Sequence, residues 1–484
     1  MAVESLKDKT VRGTAWSAAD AFLGQGVTFL VGIVLARLLS PDEYGLIGIC
    51  VIFNTVLCGI VDSGFSTALI RKKEVSNEEY NTMFLTNMVI SIVLYVLLFF
   101  ASPYVSVFFN RAELTSLLRV TSLVLIFNAL SITQVTILTK RIDFKTKTKA
   151  SLISAIVSGA IGIAMAFSGF GVWALVGQMV SKSLIYTICL WLFNKWIPRL
   201  EFSRGSFSYM WGFGWKMLVS GLLNNIWNQL YQVVVGKFYS SATLGHYTRA
   251  NEYASIFSSN LTSIVERVSY PVLAEIQDEQ TRMIEAYRKI IKTTMFVTLV
   301  CMFGIAAISE PMIYCLIGPQ WKQAATFLPL ICISMSLYPL HSINLNMLKV
   351  LGRSDIFLYL EIIKKIIAIG PICIGIFVGI YWMLVASIVT SIISFFLNSY
   401  YTGKKLGYSS WMQIQDIAPS FGIAFIVAVS VYFFKFLPIS NWLILPLQLL
   451  VGVIVLITLG KATKNTEYSE IKGMLRSLVA SKNK

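Results

Sequence analysis

Apolar runs of roughly 20 residues or more, the length that spans a bilayer as a helix, recur along the whole chain with polar breaks of only about 5 to 15 residues. A backbone in hydrocarbon must satisfy its own hydrogen bonds, so such runs fold as helices. Of the 484 residues 56% are hydrophobic and 13% charged, against about a quarter charged in a soluble protein. This excludes a water-soluble fold and predicts an all-α polytopic membrane protein.

Loop signals between the runs place about fourteen transmembrane helices, near residues 11–38, 44–70, 80–108, 114–138, 149–168, 171–194, 208–236, 246–273, 288–309, 323–348, 355–379, 381–402, 415–437 and 441–460. The first run is too long for a signal-peptide core and lacks a small-residue cleavage site, which predicts a retained helix. The net charge of +16 resides in the loops and alternates. One side carries about 28 basic residues and the other about 4, namely Arg111, Lys237, Lys322 and Lys435. The positive-inside rule then puts both termini in the cytoplasm, and orientation rather than nucleic-acid binding accounts for the charge.

Seven cysteines (Cys50, Cys58, Cys189, Cys301, Cys315, Cys332 and Cys373) fall inside apolar segments without metal or redox spacing, and read as core filler. The two histidines, His246 and His341, do not suffice for a zinc site or a His-based acid–base centre, and no GxxxxGK loop is present. No catalytic residue, metal or cofactor is therefore expected.

At an offset of about 200 residues the chain echoes itself. Arg37, Ser40 and Gly45 match Lys237, Ser240 and Gly245; Arg141 and Asp143 match Arg353 and Asp355; Trp173, Leu175 and Val176 match Trp382, Leu384 and Val385. These echoes predict two six-helix bundles of the same orientation, 1–207 and 208–405, followed by two further helices in 406–462. Chance likeness among apolar hairpins is the competing reading. The tail, 463–484, presents Ile471, Met474, Leu475, Leu478 and Val479 at helical spacing, the pattern of an amphipathic helix on the inner leaflet.

The strings LARLLSPDEYGLIGI (35–49), VDSGFSTALIRKK (61–73), LTKRIDFKTKTKASLI (138–153), GFGVWALVGQ (169–178), RVSYPVLAEIQ (267–277) and GRSDIFLYLEIIKK (352–365) resemble the bacterial polysaccharide flippases. These belong to the multidrug/oligosaccharidyl-lipid/polysaccharide exporter superfamily. The likeness is to its colanic acid exporter and teichuronic acid translocase branch, and it covers residues 1 to about 400. It implies a V-shaped pair of bundles in the bacterial cytoplasmic membrane. By alternating access these would turn an undecaprenyl-pyrophosphate-linked oligosaccharide from the cytoplasmic to the outer leaflet for surface polysaccharide biosynthesis. The partners implied are that substrate, membrane lipids, a coupling ion (proton or sodium) and proteins of polysaccharide assembly.

Ionisable side chains inside a bilayer cost about 2.5 to 3.5 kcal/mol each and need a partner or a wet cavity. Lys182 lies near a midplane, one turn from Gln178, where snorkelling does not reach; it is the leading candidate for a pyrophosphate partner. Lys216, Lys364 and Lys365 lie in the inner half, and Glu361 is spaced to pair with the last two. Asp20 and Asp62 each lie roughly 12 to 14 Å from the cytoplasmic end of a span and are candidates for coupling or gating, as is Glu361. Arg37, Arg249 and Arg119 sit toward the outer ends, where an exit-side role competes with headgroup contacts. The span 208–236 carries Asn224, Asn225, Asn228, Gln229, Tyr231 and Gln232, a density unsuited to lipid, and is the expected wall for a saccharide, with Trp227, His341, Asn344 and Asn346 as additions. Interhelical packing is the alternative for this span and for Asp20, an interfacial carboxylate near the basic run 71–73 for Asp62, and an interfacial anchor or ion pair for Lys216, Lys364 and Lys365. Gly370–Pro371 predicts a kink.

Two rivals remain. On the same fold, a cation- or proton-coupled drug antiporter would use Asp20 and Asp62. A membrane enzyme such as a polymerase or glycosyltransferase would need a polar constellation on a large loop, and the longest loops here are roughly 15 residues.

Overall fold

The computed structural model describes residues 23–482, which are helical almost throughout with no strand among them. The chain packs as two compact units, Met1–Gly245 and His246–Lys484. Among the described residues ten helical stretches are long and apolar enough to cross a membrane. Helices also occupy the four remaining expected segments, at Gln25–Leu38, Arg204–Phe238, Ser241–Glu275 and Ser354–Phe377.

The first unit holds α1 (Gln25–Leu38), α2 (Pro41–Asp62), α3 (Phe65–Arg71), α4 (Asn77–Phe109), α5 (Leu114–Thr121), α6 (Leu123–Lys140), α7 (Phe144–Phe167), α8 (Val172–Phe193) and α9 (Arg204–Phe238). Ser40 and Ser76 start α2 and α4 through capping boxes with Glu43 and Glu79, which satisfy the first free amides of each helix. The core contains Phe65, Leu69, Met83, Ile137 and Met210. Its last helix, α9, packs on α2, α3 and α4. The expected second bundle begins at 208, whereas packing divides the chain after Gly245; the first is read from likeness, the second from contact.

The expected helix 44–70 is two helices, because Ser63 and Gly64 are both left-handed (φ 49° and 71°) and end α2 after Asp62. At the other end of α2 the repeat makes a reciprocal contact. A Cβ on Gly45 would collide with the Ser241 carbonyl, and one on Gly245 with the Pro41 carbonyl. The α4–α5 turn joins them: Arg111 donates to both Asp42 oxygens (2.9 and 2.6 Å) and to Ser241, which itself donates to Asp42 (2.5 Å). The Asp42 carboxylate raises the pKa of the Arg111 guanidinium, chiefly through this hydrogen bond.

From Ser241 the chain enters α10 (Ser241–Glu275), and the second unit continues with α11 (Gln280–Leu316), α12 (Lys322–Met335), α13 (Tyr338–Val350), α14 (Ser354–Ile367), α15 (Ile369–Phe377), α16 (Ile380–Leu406), α17 (Ser410–Tyr432), α18 (Asn441–Ala462) and α19 (Thr466–Lys482). Its core includes Tyr287, Ile291, Met295, Ile343, Met347 and Tyr408. The expected kink falls at Ala368, between α14 and α15. Pro371 has no N–H for the Ile367 carbonyl four residues back, so the helix gives way there.

One expectation is refined and one corrected. The tail helix α19 docks on the protein at its start: Glu467 pairs with Lys292 (3.2 Å) and Glu470 with Lys289 (2.8 Å) of α11, while Tyr468 and Ile471 pack beside Phe296, Ile423 and Val427. Ile471 therefore packs on protein, because the acidic residues interspersed with the apolar ones find lysines on α11; the side chains of Met474, Leu475, Leu478 and Val479 lie outside the described residues. Cys373 is exposed, so the core-filling role holds for Cys50, Cys189, Cys315 and Cys332.

Candidate functional site

In the first unit Lys182 projects from α8, half-buried, with its Nζ 3.4 Å from Thr28 Oγ1 of α1. Thr28 spends its own hydrogen on the Gly24 carbonyl (2.9 Å), so its oxygen is free to accept. Among the described residues no carboxylate lies within ion-pair distance of Lys182. Asp20 lies outside the described residues, as does any pairing of Asp20 with Asp62. Gln178, one turn before Lys182, packs over Gly162 of α7.

Asp62 closes α2 at the left-handed break. It accepts from Ser66 Oγ (2.5 Å), whose oxygen accepts from Thr136 Oγ1 of α6 (3.0 Å). A half-buried carboxylate is thus held by hydroxyls rather than by a cation. The Asp-Ser-Gly string that ends the helix also fixes where its charge sits.

The polar stretch of α9 lies on α2, with Asn225 against Gly59. Asn224 and Asn228 are exposed, while Gln229 and Gln232 each bury a carbonyl oxygen that has no hydrogen-bond partner. An unmatched oxygen of this kind costs about 1 to 3 kcal/mol in a sealed interior, so these amides are arranged for water or a ligand. Trp227 and Tyr231 do interact with neighbours. Lys216, on the same helix, is exposed beside Trp215, its Nζ 5.9 Å from the ring. Both α8 and α9 pack on α2; among the described residues no hydrogen bond links Lys182 to the α9 amides.

In the second unit the expected pair forms between Glu361 and Lys364 on α14, and Lys365 is also engaged. Arg249 is buried on α10 and pairs with Glu252 (2.6 Å). Arg37, in the first unit, has a partner as well, and Arg119 donates to Ser102 (3.1 Å) and lies over Phe99.

The additions expected from the span 323–348 are hydrogen-bonded within the second unit. Asn344 Oδ1 accepts from Tyr287 (2.6 Å), Thr402 (3.0 Å) and Gln413 (3.1 Å), and its Nδ2 donates to Leu340 O (2.9 Å). Asn346 donates to Ser269 (3.4 Å), and His341 Nε2 shares a hydrogen bond with Ser391 (3.2 Å). These groups knit α10, α11, α13, α16 and α17 together, while His341 stays half-buried with its Nδ1 unmatched.

Sequence reading misses Asn54 of α2 and Asn87 of α4, both buried with neither side-chain amide atom matched. The signal available is a lone asparagine in each of the apolar runs VIFNTVL and FLTNMVI.

Comparison with known proteins supplies the context. A family model described as "Polysaccharide biosynthesis protein" matches residues 34–326. Succinoglycan biosynthesis transport protein ExoT of Rhizobium meliloti is 26% identical over 79% of this chain and 78% of its own length. Teichuronic acid biosynthesis protein TuaB of Bacillus subtilis is 24% identical over 73% and 74%, and lipopolysaccharide biosynthesis protein WzxC of Escherichia coli is 24% identical over 77% and 76%. Among solved structures, the lipid II flippase MurJ in an inward closed conformation matches with a TM-score of 0.70 at 16% identity, covering 94% of this chain and 98% of that one. An inward-facing multidrug resistance transporter of the MATE family matches with 0.62 at 15%, covering 81% and 99%. At these identities the structures establish the fold alone.

Proposed function

We propose that this chain, which belongs to the polysaccharide biosynthesis protein family, turns an undecaprenyl-pyrophosphate-linked oligosaccharide from the cytoplasmic to the outer leaflet of a bacterial inner membrane by alternating access. The relatives named for succinoglycan, teichuronic acid and lipopolysaccharide synthesis support this cargo class. The observation that carries it is α9, a 35-residue helix whose Asn224, Asn228, Gln229 and Gln232 have no partner within the described protein, yet are costly to present to lipid.

In this reading those amides and Tyr231 hold the saccharide. Lys182, with Gln178, takes the pyrophosphate; Lys216, Lys364 and Lys365 receive the phosphates from the cytoplasmic side; Arg37 and Arg249 serve the exit. Asp62 and Asp20, with Glu361, couple or gate the cycle, with a proton or sodium as the ion. Two like-oriented bundles, 1–207 and 208–405, would rock against each other in a V, and both termini would be cytoplasmic. No covalent step is involved.

Cells lacking the protein should accumulate the lipid-linked saccharide where an impermeant reagent cannot reach it. Lys182→Ala should fail to restore export at normal protein abundance, and Lys182→Arg should restore part of it. Normal export by Lys182→Ala would assign the phosphate site elsewhere. For orientation, in a background without native cysteines, Glu113→Cys should react with an impermeant thiol reagent in intact cells and Lys145→Cys should not. The reverse pattern would invert the topology.

A further inference from the structure

The α18–α19 turn builds a cationic cavity that lies outside the residues assigned to the proposed transport. Four basic side chains, Lys461, Lys464, Lys472 and Arg476, line a space of about 410 Å³ together with Tyr468 and Ser469, and no acidic residue lines it. Among the described residues none of the four cations has a carboxylate within ion-pair distance. Like charges repel, and four of them left side by side cost free energy unless an anion offsets it.

The arrangement follows from how α19 divides its charge. Its two acidic residues, Glu467 and Glu470, are both committed to Lys292 and Lys289 of α11. The opposite side of the helix keeps only cations. The turn is also held in a demanding conformation: Lys464 has φ 48°, a left-handed geometry unusual for lysine. Asn465 N–H closes the turn onto the Gly460 carbonyl (3.2 Å), and the Asn465 side chain accepts from the Tyr468 amide (2.8 Å) to start α19. Lys461 at the end of one helix and Lys472 and Arg476 on the next are thereby brought to one cavity.

Position names the ligand. The cavity lies at the polar end of α18, a 22-residue apolar helix long enough to cross the membrane, which is the level of lipid headgroups. The geometry points to a site for the phosphodiester headgroup of an anionic phospholipid, with the four cations around the phosphate and the Ser469 hydroxyl within the same space. That the leaflet is the cytoplasmic one rests on the proposed orientation; binding itself does not.

The test uses the full chain in detergent, mixed with phosphatidylglycerol or phosphatidylethanolamine of the same acyl chains, with bound lipids counted by native mass spectrometry. The wild type should retain phosphatidylglycerol in preference. The variant Lys461→Gln/Lys464→Asn/Lys472→Gln/Arg476→Gln, in which asparagine keeps the left-handed turn accessible, should lose about tenfold or more in apparent affinity for it. A variant with equal charge removed elsewhere, Lys145→Gln/Lys147→Gln/Lys149→Gln/Lys195→Gln, should bind as the wild type does. Should the quadruple variant misfold, Lys472→Gln alone should still weaken retention about twofold to threefold. Undiminished retention by the cavity variants, or equal loss in the control, overturns the site. Full displacement by millimolar inorganic phosphate overturns the lipid assignment in favour of a soluble anion, and persistence of bound lipid under phosphate supports it.

Discussion

As sequence, the amides of α9 in the first unit resemble those around Asn344 in the other unit, asparagine and glutamine embedded among apolar residues, yet they end in opposite states. Asn344 and Gln413 are buried and matched to Tyr287, Thr402 and each other. Asn224 and Asn228 are exposed, and Gln229 and Gln232 keep unmatched oxygens. A polar side chain in a membrane helix can thus be a fastener or a free hand, and what distinguishes the two is whether a partner is already present in the folded chain.

The comparison can be broken at its strongest point first. Asn344→Leu removes the acceptor of three donors, and the full chain in detergent should lose roughly 2 to 3 kcal/mol, read as a lowered unfolding midpoint and poor accumulation. A stability within experimental error of the wild type would show that the network is replaceable by water. In the first unit the sign of the contrast reverses. Asn228→Leu/Gln232→Leu should leave the unfolding midpoint nearly unchanged, within about 0.5 kcal/mol, while export falls about tenfold. Loss of stability with unaltered export per molecule would make α9 a fastener too.

Ion pairs sharpen the same distinction. Arg288→Gln strands Asp416, which is well buried and also accepts from Tyr408 (2.7 Å); with Arg288 itself partly exposed, the loss should be about 1 kcal/mol. Lys289→Gln breaks the more exposed pair with Glu470 and should cost about 0.5 kcal/mol or less in the same measurement. A larger effect at Lys289 than at Arg288 would mean that the docking of α19 is worth more than its exposed contacts suggest.

Much of the fold is legible in the sequence because it depends on local composition. Apolar runs fix the helices, and the missing amide of Pro371 marks the break ahead of it. The break at Ser63–Gly64 is equally local but escapes a reading by hydropathy, since Asp62-Ser63-Gly64 lies inside a run that remains apolar on both sides. What sequence does not supply is partnership. The residues that satisfy Asn344 lie 57, 58 and 69 positions away, and the lysines that draw α19 onto α11 are 175 and 181 positions from their glutamates by numbering (292 to 467 and 289 to 470). Hence sequence alone does not show that Asn344 is already matched within its own unit, and it turns Ile471 toward lipid. The glutamate–lysine pair within α14 is readable because its spacing is a single helical turn.

The reciprocal turn, where Gly45 meets Ser241 and Gly245 meets Pro41, has a bearing on ancestry. The two turns echoed in sequence touch each other's counterparts, 41 with 245 and 45 with 241, so each is the environment in which the other is tested by selection. A side chain gained at either glycine would need room made by backbone displacement in the opposite copy. If the echo records a duplication, this turn could change only in step on its two sides while the rest drifts apart, and it should persist as the last visible seam when the remaining likeness has faded.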